Sequence, residues 1–212
     1  LVLFGRDAVR RFGPGIPVIF DVKCSEILPK ALADAGARPV MWKTGHSLIK
    51  AKMKEVDSPL AGEMSGHMFF ADRYFGFDDA IYASCRLVEI LAKTKRSLSS
   101  LVADLPQTTV TPEIRVDCPD TLKFQLVDQV RTQLAAYLAE GQPVGASNLR
   151  MRELVTIDGV RAIFEDGWGL IRASNTQPAL VLRFEAPSPA RLDVIRATIE
   201  TELAQARRVL ST

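Results

Sequence analysis

Ile16-Pro17-Val18-Ile19-Phe20-Asp21-Val22 follows Gly13-Pro14-Gly15 and runs into Lys23-Cys24-Ser25. A β-branched and aromatic run set off by Gly and Pro predicts a buried strand. Downstream, Ser25 predicts the N-cap of a helix that carries Ile27, Leu28, Ala31 and Leu32 and stops at Gly36. Pro39-Val40-Met41-Trp42 predicts a short strand, residues 47–56 a lysine-studded helix, and Met68-Phe69-Phe70 another buried strand. Asp78-Asp79 opens a helix in which Ile81, Cys85, Val88 and Leu91 keep helical spacing. Upstream, Leu3, Phe4 and Val9 form an apolar helical phrase. Strand, helix, strand, helix, strand is the grammar of an α/β layered domain on a mixed sheet, predicted over residues 1–106.

The grammar then changes. Residues 103–119 hold three prolines and a threonine cluster, which predicts a linker, set at 107–118, with one short strand at 114–116. Residues 121–140 predict a helix with Leu122, Leu126, Val130, Leu134 and Leu138 on one face. Asp158-Gly159, between Leu154-Val155-Thr156-Ile157 and Val160-Arg161-Ala162-Ile163-Phe164, is the pair that a two-residue type I′ hairpin favours. Strands at 169–173 and 179–185 and a helix at 189–210 complete a small α+β domain over 119–212, an antiparallel sheet with two helices.

Of the 212 residues 47% are hydrophobic and 25% charged, enough apolar material for a real core. Lys plus Arg is 27 and Asp plus Glu 25, a net +2 that supplies no global field for nucleic acid or an anionic membrane. Neither partner is expected. Cys24, Cys85 and Cys118 are widely spaced with no Cys-x-x-Cys pair, which argues against a disulfide framework and a zinc site and fits a reducing cytoplasm. No apolar run approaches the roughly 18 to 20 residues of a membrane span. The start at Leu1, without Met and already inside an apolar helical phrase, leads us to expect further chain upstream.

Three polar clusters follow predicted strands. Lys23 ends the first, Lys43-Thr44-Gly45-His46 follows the second, and Ala61-Gly62-Glu63-Met64-Ser65-Gly66-His67 sets an acid, a hydroxyl and an imidazole between flexible glycines. Ligands of open α/β sheets sit beyond the carboxyl ends of strands, so Lys23, His46, Glu63, Ser65 and His67 are expected around one crevice. In the second domain, Arg172-Ala173-Ser174-Asn175-Thr176-Gln177-Pro178 joins a fixed cation, two hydroxyls and an amide in a turn, a set suited to phosphate. No metal cage is expected, since Asp78-Asp79 opens a helix without convergent carboxylates.

Phe20-Asp21-Val22-Lys23-Cys24, Trp42-Lys43-Thr44-Gly45-His46-Ser47, Gly62-Glu63-Met64-Ser65-Gly66-His67 and residues 167–176 (GWGLIRASNT) together resemble the signatures of the α-D-phosphohexomutases, in particular the bacterial phosphomannomutase/phosphoglucomutase group. The resemblance covers residues 1 to about 203. It implies that this chain is the third and fourth of that family's domains. It further implies that Glu63 and Ser65 hold sugar hydroxyls, and that Lys23, His46 and His67 face the sugar phosphate or bridging oxygens, with His67 and His46 as participants in proton transfer. Arg172, Ser174, Asn175 and Thr176 would clamp the phosphate that is not being transferred. Gln177 stands where many relatives have a second threonine.

The family's phosphoserine motif (Thr-Ala-Ser-His-Asn-Pro) and magnesium loop (Asp-Gly-Asp-Gly-Asp-Arg) do not occur in these residues. The expectation is therefore a sugar-recognition and phosphate-clamping half of a mutase that interconverts hexose 1-phosphates and 6-phosphates of mannose or glucose. Its reaction would run through a phosphoserine and a hexose 1,6-bisphosphate, with Mg2+ held by residues outside this chain. The half-enzyme alone is expected to be inactive, its partners being hexose phosphates and the N-terminal domains of the same protein, a monomer at full length. The alternative is a complete, non-catalytic sugar-phosphate-binding module.

Overall fold

The computed structural model describes residues 1–211 and divides into two compact units, Leu1–Pro106 and a second that begins at Gln107. In the first, the order is α1 (Val2–Phe12), β1 (Pro17–Asp21), α2 (Ile27–Asp34), β2 (Arg38–Trp42), α3 (His46–Val56), β3 (Leu60–Gly62), β4 (Met68–Phe70), α4 (Ala80–Thr94) and the short α5 (Leu98–Leu101). The sheet runs β2-β1-β3-β4, with β1 parallel to β2 and β3, and β4 antiparallel to β3. It is the mixed α/β sheet that the alternating grammar predicts.

Strand alternation divides the core between the two faces of this sheet. Val18, Phe20, Leu60 and Phe70 pack with Ala8 of α1 and with Leu28 and Leu32 of α2, whereas Ile19, Ala61 and Phe69 pack with Ile49 and Met53 of α3. Ser25, expected as the N-cap of α2, stands one residue before it: the N-cap is Glu26, without a side-chain capping bond, and the Ser25 Oγ accepts from the Ile27 N–H at 3.1 Å where the helix begins.

One helix face departs from expectation. The spacing of Ile81, Cys85 and Val88 is helical, yet Ile81 is 79% and Val88 63% exposed and Cys85 is also at the surface. The buried side of α4 carries Arg86 and Ile90 instead. Arg86 is drawn inward because it finds partners there: Asp72 Oδ2 at 3.2 Å, the Tyr82 hydroxyl at 3.0 Å and the face of Phe70 at 4.8 Å. A buried cation held this way rotates the apolar stripe outward.

The second unit contains β5 (Thr109–Val110), β6 (Ile114–Asp117), α6 (Asp120–Glu140), β7 (Met151–Val155), β8 (Val160–Phe164), β9 (Trp168–Ala173), β10 (Ala179–Ala186) and α7 (Pro189–Leu210). Its sheet runs β5-β10-β9-β8-β7, with β6 also on β10, and every pairing is antiparallel. Leu126, Val130 and Leu134 of α6 and Ile195, Ile199 and Leu203 of α7 share one core with Ala162, Phe164, Ile171, Leu180, Leu182 and Phe184 of the strands.

Two local readings change. Residues 107–118, expected as a linker, carry both β5 and β6, which complete the edge of this sheet on β10. Pro112, which lacks an N–H, falls between the two pieces and keeps them short. The connection at Asp158-Gly159 is also wider than two residues, since β7 ends at Val155 and residues 156–159 form the loop. Gly159 lies against β9, where an added Cβ would stand 2.4 Å from the Ile171 carbonyl oxygen and 2.6 Å from Arg172 Cβ. No helix of the described residues is long and apolar enough to cross a membrane.

Candidate functional site

The three parallel strands end side by side, Asp21 opposite Trp42 and Phe20 opposite Gly62. The polar clusters that follow them are therefore brought together. At their centre is Asp21, with no exposed surface. Its Oδ1 accepts from the Met64 N–H at 3.0 Å and the Cys24 thiol at 3.1 Å, and its Oδ2 accepts from the Thr44 hydroxyl at 3.1 Å. One carboxylate thus ties together the segments that follow β1, β2 and β3.

Lys23 lies within this arrangement and is itself buried, 6% exposed, with Nζ 3.6 Å from Asp21 Oδ2. Glu63 is also buried. Its Oε1 accepts from the Gly45 N–H at 2.9 Å and its Oε2 from the Ser65 hydroxyl at 3.3 Å. A carboxylate has about four lone-pair sites, so Glu63 can fasten its own turn to the start of α3 and still accept from further hydroxyls. The turn is closed by Glu63 N–H to the His67 carbonyl at 2.9 Å and Gly66 N–H to the Glu63 carbonyl at 3.0 Å. Gly66, at φ 96°, takes the left-handed position that this closure requires. Ser65 is exposed at the tip.

His46 and His67 meet edge to face, ring centroids 4.6 Å apart, and His46 also stands on the edge of Phe69 at 5.2 Å. They are the two histidines of the chain. His67 Nδ1 lies 2.6 Å from Asp78 Oδ2, and Asp78 Oδ1 accepts from the Met68 N–H at 3.2 Å. A carboxylate on Nδ1 fixes the ring and presents its other nitrogen outward.

Asp78 was not expected at the site, and neither was Asp21. The adjacent acids 78 and 79 divide two tasks. Asp79 caps α4 through the Tyr82 N–H at 2.8 Å and takes a hydrogen bond from the Tyr74 hydroxyl at 2.5 Å. The Tyr74 hydroxyl, and then the Tyr82 N–H, hold the Asp79 carboxyl below its ordinary range. Asp78 forms a bridge with Phe69 and so reaches His67. That contact spans the loop after β4, and no local spacing signals it.

In the second unit Arg172 lies on β9, 5% exposed, its Nε donating to Asp158 Oδ2 at 3.1 Å and its Nη2 to Oδ1 at 3.4 Å. The cation expected to meet a phosphate is thus held by the carboxylate of the 156–159 loop. Ser174 Oγ accepts from the Gln177 N–H at 3.2 Å and the Thr176 N–H at 3.4 Å, shaping the turn. Asn175 and Thr176 are exposed at its tip. From α6 the buried Lys123 donates to the carbonyls of Ser174 at 2.7 Å and Gln177 at 3.1 Å. A recess of about 160 Å³ beside the turn is lined by Arg131, Thr156, Asp158 and Asn175, among others.

As for a metal, the donor atoms of His46, His67 and Asp78 all lie within 4.8 Å of one another. The expectation of no metal-ligating group in these residues did not include this set. It does not suit Mg2+, which demands near-octahedral oxygen ligands.

Comparison with known proteins follows the same division. A family model described as phosphoglucomutase/phosphomannomutase, alpha/beta/alpha domain III, matches residues 1–109, and one described as phosphoglucomutase/phosphomannomutase, C-terminal domain, matches residues 113–202. A phosphomannomutase/phosphoglucomutase of Pseudomonas putida is 49% identical over 203 residues, 96% of this chain and 41% of that protein. A phosphoglucomutase of Neisseria gonorrhoeae is 45% identical over 196 residues, 92% of this chain and 40% of the relative. Among solved structures, a phosphoglucomutase/phosphomannomutase family protein of Burkholderia thailandensis superposes with a TM-score of 0.82 at 42% identity, covering 98% of this chain and 41% of the other. The chain spans about two fifths of the length of these relatives, 41% for the Pseudomonas putida protein.

Proposed function

Because the chain belongs to the phosphoglucomutase/phosphomannomutase family, as its domains III and C-terminal domain, we propose that it is the sugar-recognition and phosphate-holding part of a longer enzyme that interconverts hexose 1-phosphates and hexose 6-phosphates, with mannose or glucose as the sugar. In this reading Glu63 and Ser65 take sugar hydroxyls, Lys23, His46 and His67 serve the reacting end with the imidazoles moving a proton, and Arg172, Ser174, Asn175 and Thr176 hold the phosphate that stays in place. The observation that carries it is the gathering of Glu63, His46 and His67 at the ends of three adjacent parallel strands around one buried carboxylate, Asp21.

The chemistry follows from what these groups can do. A carboxylate that accepts from adjacent hydroxyls tolerates a sugar bound in two orientations, which a 1-to-6 exchange requires. Arg172, already oriented by Asp158, offers a fixed cation at low cost in side-chain entropy. Phosphoryl transfer depends on positioning and electrostatics more than on covalent help from these residues.

The phosphoserine that donates and recovers phosphate, by way of a hexose 1,6-bisphosphate, belongs in this reading to the part of the enzyme that residues 1–212 do not include, as does Mg2+. The partners are accordingly hexose phosphates and those further domains, in a cytoplasmic enzyme. The test is kinetic. In the full-length enzyme Glu63→Gln should lower kcat/KM for hexose phosphate by about tenfold or more, the loss of one charge-assisted hydrogen bond, while residues 1–212 alone should give no turnover. Unchanged kinetics in Glu63→Gln, or turnover by residues 1–212 alone, would overturn the reading.

A further inference from the structure

We propose that His46, His67 and Asp78 form a site for Zn2+ or a chemically similar divalent ion of the later first transition row. Both histidines of the chain and one carboxylate converge, with one donor atom from each within 4.8 Å of the others. Zn2+ bonds to imidazole nitrogen and carboxylate oxygen at about 2.0 to 2.2 Å, which in tetrahedral geometry sets neighbouring donors roughly 3.3 Å apart. Asp78 Oδ2 stands 2.6 Å from His67 Nδ1 and 3.9 Å from His46 Nε2, on either side of that spacing. Binding would release the proton shared by His67 Nδ1 and Asp78 Oδ2 to solvent and open that pair, while separations of up to 4.8 Å close by as much as about 1.5 Å.

The surroundings are organised as metal sites are. Asp78 Oδ1 is occupied by the Met68 N–H, so the carboxylate is anchored by one oxygen and presents the other to both rings. His46 opens α3 and is braced against Phe69. Three protein ligands leave a fourth position for water or an anionic oxygen. Two nitrogens and one oxygen favour Zn2+ and its neighbours over Mg2+. The ion would engage the same imidazoles that the mutase reading assigns to substrate, and competition between them rests on that reading. Binding itself does not.

The test is calorimetric titration of residues 1–212 with ZnCl2 on a Cys85→Ser background, which removes the exposed thiol as a competing ligand. We expect one equivalent bound, undisturbed by millimolar Mg2+, and weakened about 10-fold or more in each of His46→Gln, His67→Gln and Asp78→Asn. Should a variant fail to fold, imidazole NMR of the parent protein decides independently. With two histidines in the chain, both ring spin systems should shift on the addition of one equivalent. The proposal is overturned by undiminished binding in folded variants, by imidazole signals that ignore the ion, by displacement at equal concentration of Mg2+, or by the absence of any binding.

Discussion

Asp158 and Arg172 are joined through two hydrogen bonds, Nε to Oδ2 at 3.1 Å and Nη2 to Oδ1 at 3.4 Å, across the same loop whose Gly159 lies against the Arg172 backbone. The loop between β7 and β8 therefore sets both where the guanidinium begins and where it points. Arg172→Ala in the full-length enzyme should weaken hexose-phosphate binding by about 1.5 to 3 kcal/mol, the range for a hydrogen bond to a charged group. Asp158→Asn should weaken it by less, since the cation survives, and should also destabilise the second unit, because the buried Arg172 loses the carboxylate it is paired with. Calorimetric titration with a hexose phosphate checks both, and an affinity untouched by Arg172→Ala would remove that residue from the site.

Gly159→Ala should destabilise the second unit. Its φ of 83° disfavours any side chain, and the new Cβ would meet the Ile171 carbonyl and Arg172 itself. Overpacking of this kind costs about 1 to 3 kcal/mol. A urea midpoint equal to that of the parent would show that β9 yields freely.

Asp21→Asn should cost about 3 kcal/mol, the lower end for removing one member of a buried ion pair, because it takes a buried negative charge from beside the Lys23 ammonium and weakens the acceptor that holds Met64, Cys24 and Thr44. Chemical denaturation followed by Trp42 fluorescence reads the first unit. A loss below about 1 kcal/mol would mean that the neighbouring segments hold their places without this carboxylate.

Glu202 of α7 gives a pH-dependent effect of opposite sign. It is 1% exposed, Oε2 has no hydrogen-bond partner among the described residues, and burial pushes its carboxyl up from the ordinary value. With the folded value above the unfolded one, the ionised form opposes folding, and stability is lost as pH rises from the ordinary carboxylate range through the raised folded value. Glu202→Gln should therefore raise Tm at pH 7 and leave it nearly unchanged at a pH below the ordinary carboxylate range. An equal shift at both pH values would assign the gain to packing instead.

The order of elements was legible because each obeys a local rule: the apolar run at 16–22, the polar Ser25 just ahead of α2, and the glycine-flanked turn at 62–66. So were the residues at the strand ends, since a parallel sheet brings those ends together wherever the helices return the chain. What supports them was not legible. Asp78 reaches His67 across 11 residues, Asp158 reaches Arg172 across 14, and Asp21 reaches Met64 across 43. Each contact exists only after the sheets have formed. The face of α4 is hidden from local spacing for the same reason, because the acids that draw Arg86 inward include Asp7, from α1 at the start of the chain.

Under the proposed function, the position of Asp21 also bears on any attempt to change the sugar preference of the full-length enzyme. With no surface of its own, it is never read by a ligand, yet it places the residues that would be. A mutant library that varies Ser65, Asn175 and Thr176 samples new specificities on an intact frame. One that also randomises residue 21 breaks the hydrogen bonds to Met64, Cys24 and Thr44 that hold this frame together.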